Sequence, residues 1–228
     1  MIININKPAG WTSFDVVKKV RGIINEKKVG HAGTLDPFAT GVLILGTGPD
    51  TKKLSDISLS NKTYIADLTL GIETDTYDCD GSTVLREPVP ELSKKVIENI
   101  LSLFEGVTKQ TPPMYSAKKV NGVRLYKLAR QNKIIKRDPV EINISDIKLI
   151  KLKSSIITFE VTCSKGTYVR VLGYDIAKKL GTVGFLSALK RISVGPYNIK
   201  ESKLINEITI SLKYIIKLTR SKIVKAVY

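Results

Sequence analysis

Residues 29–45, VGHAGTLDPFATGVLIL, hold the only histidine of the chain, His31, and one carboxylate, Asp36, set directly before Pro37. Steric conflict with the proline ring keeps the residue before it in extended backbone, which limits where the Asp36 side chain can point. Gly30, Gly33 and Gly41 surround it and permit tight turns and close approach of a second backbone or a ligand. A carboxylate on so stiff a loop is suited to act as a nucleophile or a general base. An Asp-Pro turn with no chemistry would use the same residues, so the pattern marks Asp36 as a candidate only.

Other patterns that could do chemistry fail on inspection. Residues 76–87, TYDCDGSTVLRE, place Asp78, Asp80, Gly81 and Glu87 at calcium-loop spacing, but Thr76 occupies the first ligand position, where a carboxylate is needed. Residues 41–48, GVLILGTG, have two glycines at phosphate-loop spacing, yet Thr47 stands where the lysine must be. One histidine and two distant cysteines, Cys79 and Cys163, lack the ligands for a structural zinc site. A Ser-His-Asp triad would have to use His31, five residues from Asp36, and nothing else supports it.

Several elements must carry these residues. Residues 12–27 open with a capping-box pattern, Thr12 and Asp15, and continue with Val17, Val20 and Ile24 on one helical face. Residues 62–71, KTYIADLTLG, alternate with Tyr64, Ala66, Leu68 and Leu70 on one side, which predicts a half-buried strand. Val96, Ile97, Ile100, Leu101 and Phe104 predict an amphipathic helix. After a Pro-Pro break, residues 111–137 read as a loop leading into a short helix. Residues 140–152 and 155–166 read as strands, the second with Ile157, Phe159, Val161 and Cys163 on one face. Residues 167–180 read as a helix stopped at Gly181, and residues 208–228 as a basic helix. Strands and helices intermix without regular alternation, so the expected class is α+β.

The chain has 228 residues and a formal net charge of +16, a surplus that favours a polyanionic partner, nucleic acid above all. The charge is unevenly placed. Residues 106–137 contain nine Lys or Arg and no acid, and residues 208–228 contain five and again no acid. Such stretches are suited to phosphates. No apolar run approaches the ~20 residues that span a bilayer, the N-terminus lacks a signal-peptide pattern, and the cysteines give no disulfide framework. A soluble, cytoplasmic protein is expected.

The segment GHAGTLDPFATG resembles the active-site motif of the pseudouridine synthases, in particular the TruB family that modifies the T loop of tRNA. NKPAGWTS, NKTYIADLTLGIETDTYDCDG, PPMYSAKKVNGVRLYKLAR, CSKGTYVRVLGYDIAKKLG and LKRISVGPY resemble the remaining blocks of that family, in its order, from Asn6 to Tyr197. The resemblance implies the pseudouridine synthase fold, a mixed and mostly antiparallel sheet with flanking helices and a central RNA-binding cleft. It implies conversion of uridine to pseudouridine at tRNA position 55, without metal or cofactor, on a base flipped from its stack.

The resemblance also assigns residues. Asp36 matches the nucleophile, Tyr64 the tyrosine that stacks on the uracil and assists proton removal from C5, and Arg170 the arginine paired with the aspartate, keeping it ionised. His31 matches the histidine that enters the T loop in place of extruded nucleotides. Tyr168 and Leu189 match residues lining the uracil pocket. Lys7 matches a buttress of the site, Asp78 an acidic position, and Lys62 stands in the block that carries Tyr64. The implied partner is the tRNA T-stem loop, with no membrane and no obligatory protein partner, and a monomer is expected. Bacterial members usually carry a C-terminal RNA-binding extension, often a PUA-type domain. This chain ends 31 residues after Tyr197, so the expectation is one catalytic domain, residues 1–228, with a basic C-terminal helix over about 208–228 and no PUA-type domain.

Overall fold

The computed structural model describes residues 1–120, 122–131 and 133–208. The predicted basic helix over residues 208–228 therefore lies, apart from its first residue, outside the described residues. The chain divides into two compact units, residues 1–58 with 196–228, and residues 59–195.

The first unit begins with β1 (Ile2–Lys7), α1 (Ser13–Ile24), β2 (Val29–Ala32) and β3 (Thr40–Thr47), followed by a 3-10 turn (Gly48–Lys53) and the short helix α2 (Leu54–Leu59). β3 pairs antiparallel with β1, from Ile2 opposite Gly46 to Lys7 opposite Gly41, and with β2, from Val29 opposite Thr47 to Ala32 opposite Ile44. The apolar run 42–45 is buried throughout, which is why it shows no alternation in the sequence. GVLILGTG is thus a central strand, and His31 sits on a strand rather than in a loop. Thr12 caps α1 as predicted: its hydroxyl accepts from the Asp15 N–H at 3.1 Å, and the Asp15 carboxylate accepts from the Thr12 N–H at 2.9 Å. α1 lays Val16, Val17 and Val20 against Ile3, Ile5, Leu43 and Leu45, with Ile208 and the edge of Trp11 closing the same cluster.

The second unit contains β4 (Lys62–Leu70), β5 (Ile72–Thr74), β6 (Thr83–Arg86), α3 (Lys94–Ser102), β7 (Gly106–Gln110), β8 (Lys119–Val120), β9 (Val123–Arg124), α4 (Leu125–Ala129), β10 (Val140–Lys153), β11 (Ile156–Cys163), α5 (Val169–Lys179) and β12 (Gly184–Val194). Its main sheet runs β12-β4-β11-β10-β7, every neighbour antiparallel. β5–β6 and β8–β9 are separate hairpins. The alternation predicted for β4 and β11 holds at every position: Tyr64, Ala66, Leu68 and Leu70 are buried, as are Ile157, Phe159, Val161 and Cys163. α3 packs on β10 through Ile97 and Leu101. Val96 is 45% exposed, because the buried stripe centres on that i, i+4 pair and Val96 falls a hundred degrees to its side. The predicted loop before α4 holds the β8–β9 hairpin, whose strands are too short to show a period.

α5 lies on β12 and β4. Gly173 makes the close approach possible, since a Cβ there would come within 2.7 Å of Leu186 Cδ2. The helix start, and with it Arg170, is thereby fixed over the face that bears Tyr64 and Leu68. The structure is α+β, a mostly antiparallel sheet with flanking helices.

Candidate active site

In the first unit the loop 33–39 is tied at several points. The Ser13 hydroxyl donates to the Leu35 carbonyl at 3.2 Å and accepts from the Leu35 N–H at 2.9 Å, a reciprocal link that α1 supplies from its first turn. The Gly10 N–H donates to the Pro37 carbonyl at 2.9 Å, and the Ala39 N–H to that of Asp36 at 3.1 Å. Lys7 is fully buried. Its amine donates to the carbonyls of Pro8 at 2.9 Å, Trp11 at 2.6 Å and Pro37 at 3.1 Å. A buried ammonium with three carbonyl acceptors draws two loops around itself, one of them at Pro37, the residue that follows Asp36. Asp36 itself is half-buried, as is His31, which faces Leu45 across β2 and β3.

In the second unit Arg170, 3% exposed, lies in the first turn of α5. Its Nη1 pairs with Asp78 Oδ2 at 3.0 Å and donates to the Thr76 carbonyl at 2.8 Å, while Nη2 donates to the Tyr115 carbonyl at 2.9 Å. Asp78 is in turn held by the Thr76 hydroxyl at 2.6 Å and the Asp80 N–H at 3.0 Å. The segment that resembled a calcium loop is an arginine anchor. Tyr168 precedes α5, and its N–H and carbonyl bond both ends of the Gln110 amide, at 2.8 and 3.1 Å. The buried glutamine on β7 so sets the approach to Arg170.

Tyr64, 8% exposed, stands opposite Val161 on one side and Arg191 on the other. Leu189, opposite Ala66, shares that face. This placement depends on a bulge. Leu186 faces Leu68, but Ala188 faces Asp67, so one extra residue enters β12 between them. Without it the strand would slip by one residue and turn Leu189 and Arg191 to the other face. Arg191, 1% exposed, is a buried cation on this face that sequence reasoning did not single out. It lies in the LKRISVGPY block, but reading it as inward-facing requires knowing the bulge. Lys62 is buried on the same face and donates to the Ser60 carbonyl at 2.6 Å. Burial, with Arg191 nearby adding repulsion, drops its amine to about 8.

The second unit therefore gathers Tyr64, Leu189, Arg191 and Lys62 on one sheet face and Arg170, Asp78 and Tyr168 at the helix start above it. Lys7, His31 and Asp36 belong to the first unit. Among the described residues no cluster of His, Cys, Asp or Glu is disposed to hold a metal ion, and no helix is long and apolar enough to cross a membrane.

The second unit thus carries a buried tyrosine and an anchored arginine, and the first a separate proline-fixed aspartate loop. Residues 21–169 match the N-terminal domain of the TruB family pseudouridylate synthases, and this chain belongs to that family. Among curated relatives, the tRNA pseudouridine synthase B of Clostridium kluyveri is 48% identical over 222 residues, which cover 96% of this chain and 76% of the relative. That of Hydrogenovibrio crunogenus is 47% identical, covering 92% and 69%. Among solved structures, a chain of a Cbf5–Nop10–Gar1 complex superimposes with a TM-score of 0.68 at 27% identity, over 86% of this chain and 49% of that one. A chain of an archaeal box H/ACA Nop10–Cbf5 complex, at 22% identity and a TM-score of 0.67, supports the fold alone and is likewise matched over 52% of its length. The chain spans about half the length of those two solved relatives.

Proposed function

We propose that this chain isomerises the T-loop uridine at tRNA position 55 to pseudouridine. In that reaction the C1'–N1 glycosidic bond breaks, the uracil turns, a C1'–C5 bond forms, the C5 proton leaves and N1 gains one. Apart from one hydrogen released from C5 and one taken up at N1 through solvent, no atom is gained or lost, so the protein need supply only a nucleophile, a base and a pocket that holds the detached ring. Asp36 is the nucleophile, Arg170 the cation of the reacting centre, and Tyr64 stacks on the flipped uracil and assists proton removal. Tyr168 and Leu189 line the uracil, Lys62 supports the strand start beside Tyr64, His31 enters the T loop, and Lys7 buttresses the aspartate loop. Asp78 fixes Arg170.

The observation that carries this reading is the Arg170 anchor: a guanidinium stripped of water and held on a carboxylate and two carbonyls. Immobilised cations of this kind stabilise developing charge without reorganising during reaction. The basic residues of 106–137 are the proposed T-stem contact, and Lys109, Lys119, Arg124, Lys127, Arg130, Lys133 and Lys136 are all exposed. Binding through phosphates predicts an affinity that falls linearly in log–log terms with salt.

In this reading the enzyme acts as a cytoplasmic monomer, with residues 1–228 as its catalytic domain. A second reading, action inside a protein complex, is favoured by the solved relative found with Nop10 and Gar1. Purified chain and unmodified tRNA transcript separate the two: tritium release from C5-labelled uridine at position 55 by protein alone supports the first. The Asp36→Asn variant should bind the same RNA and release no tritium. Normal release by that variant removes Asp36 from the reaction.

A further inference from the structure

Arg170 Nη1 touches residues 76 and 78, and the residue between them, Tyr77, has a backbone that few side chains tolerate. Its φ is 60°, in the left-handed region. Glycine enters that region freely and Asn or Asp with little strain, but an aromatic residue stays there only when its surroundings hold it. That turn of the chain lets the Thr76 carbonyl and the Asp78 carboxylate converge on one nitrogen, at 2.8 and 3.0 Å.

The surroundings that hold Tyr77 belong largely to the helix that carries the arginine. The Tyr77 ring stacks on Tyr174, with centroids 4.4 Å apart and planes inclined by 30°. Tyr174 follows Arg170 by four residues on α5, so the two project from the same helix face. The Lys178 amine lies 5.8 Å from the Tyr174 ring centroid, one further turn along. The Tyr77 N–H donates to the Thr74 carbonyl at 3.1 Å, and its own carbonyl accepts from the Leu186 N–H at 3.0 Å. The turn has no slack behind it, because a Cβ at Gly81 would overlap Thr76 Oγ1.

We propose that Tyr77 is a positioning residue for Arg170: its stack on Tyr174 clamps the 76–78 turn to α5 and so fixes the guanidinium. This rests on the reading of Arg170 as part of the reacting centre. The clamp grips one helix face twice, at Arg170 through hydrogen bonds and at Tyr174 through the ring, so losing the stack frees the turn to rotate about its remaining bonds.

The test measures kcat and KM on unmodified tRNA for Tyr77→Ala, Tyr77→Phe, Tyr77→Asn, Tyr174→Leu and the Tyr77→Ala/Tyr174→Leu double variant, well below each melting temperature. Tyr77→Ala should lower kcat about tenfold, since small misplacements of a reacting group cost that much or more, with KM within about twofold. Tyr77→Phe should match the parent. Tyr77→Asn, which tolerates the left-handed backbone, should retain more activity than Tyr77→Ala. Tyr174→Leu should match Tyr77→Ala, and the double variant should be no slower than either. Parental kcat in Tyr77→Ala, a loss confined to KM, an Asn variant below the Ala variant, or multiplying losses in the double variant would overturn the proposal. Should Tyr77→Ala not fold, Tyr174→Leu decides by the same criteria. An activity-independent readout separates this proposal from the assigned reaction: the guanidinium NMR signals of Arg170 should be resolved in the parent and averaged by rotation in Tyr77→Ala. Resolved signals in both sink the clamp even if the parent makes pseudouridine; a parent with no activity on tRNA sinks the reaction while the spectra still judge the clamp.

Discussion

Each unit buries a cation among backbone carbonyls, Lys7 in the first and Arg170 in the second, and the two work differently. Lys7 gathers carbonyls from nearby loops of its own unit, those of Pro8, Trp11 and Pro37. Arg170 gathers a carboxylate and carbonyls from two segments distant in sequence, the 76–78 turn and Tyr115. A round ammonium can be satisfied by carbonyls from any direction, so lysine suits a knot that shapes backbone. A planar guanidinium presents a fixed fork and transmits the geometry of its partners. The first device holds a loop in place, whereas the second aims a charge.

The strongest way to break that contrast is to remove the guanidinium. Arg170→Met should abolish turnover and cost about 3–5 kcal/mol, because it leaves the Asp78 carboxylate buried without its partner. Denaturant melts check the stability, and the double variant Arg170→Met/Asp78→Leu should recover most of it while remaining inactive. Failure to recover would mean that the ion pair is not the source of the loss. Lys7→Met comes next, at about 2–3 kcal/mol from carbonyls deprived of their donor. It should lower kcat less than Arg170→Met does; equal losses would erase the distinction between shaping and aiming. Ser13→Ala breaks only the reciprocal bond to Leu35 and should cost about 1 kcal/mol, read as a small shift of the melting midpoint.

A further effect is one of pH. Burial raises the Asp175 carboxyl, on α5, to about 6. A raised carboxylate favours folding below its unfolded value, and that contribution is lost as pH rises through about 6. Asp175→Asn should therefore raise the melting temperature above pH 6 and leave it unchanged below about pH 4. An equal gain at both pH values would show packing, not ionisation, as the cause.

Much of the frame was legible in the sequence because it rests on local rules. The Thr12–Asp15 box caps α1 as its spacing requires, β4 and β11 alternate as read, and the stop of α5 follows from its glycine. The central strand β3 escaped notice because a strand buried on both faces has no period to read. Arg191 escaped because an inserted residue in β12 reverses the facing of everything after it, and a bulge leaves no mark in one sequence.

The sequence by itself determined the chemical inventory: a proline-fixed aspartate, a tyrosine on the inner face of a strand, an arginine at a helix start and a basic stretch without acids, in an order that resembles one family. Tertiary structure alone decided which carboxylate Arg170 pairs with, that Lys7 is a buried knot, and that Leu189 and Arg191 face inward beside Tyr64. Local rules act within a few residues, where spacing in the chain equals spacing in space. The Arg170–Asp78 pair and the β4–β12 register join segments about 90 to 130 residues apart, and only the folded chain fixes which of many sterically possible partners meet.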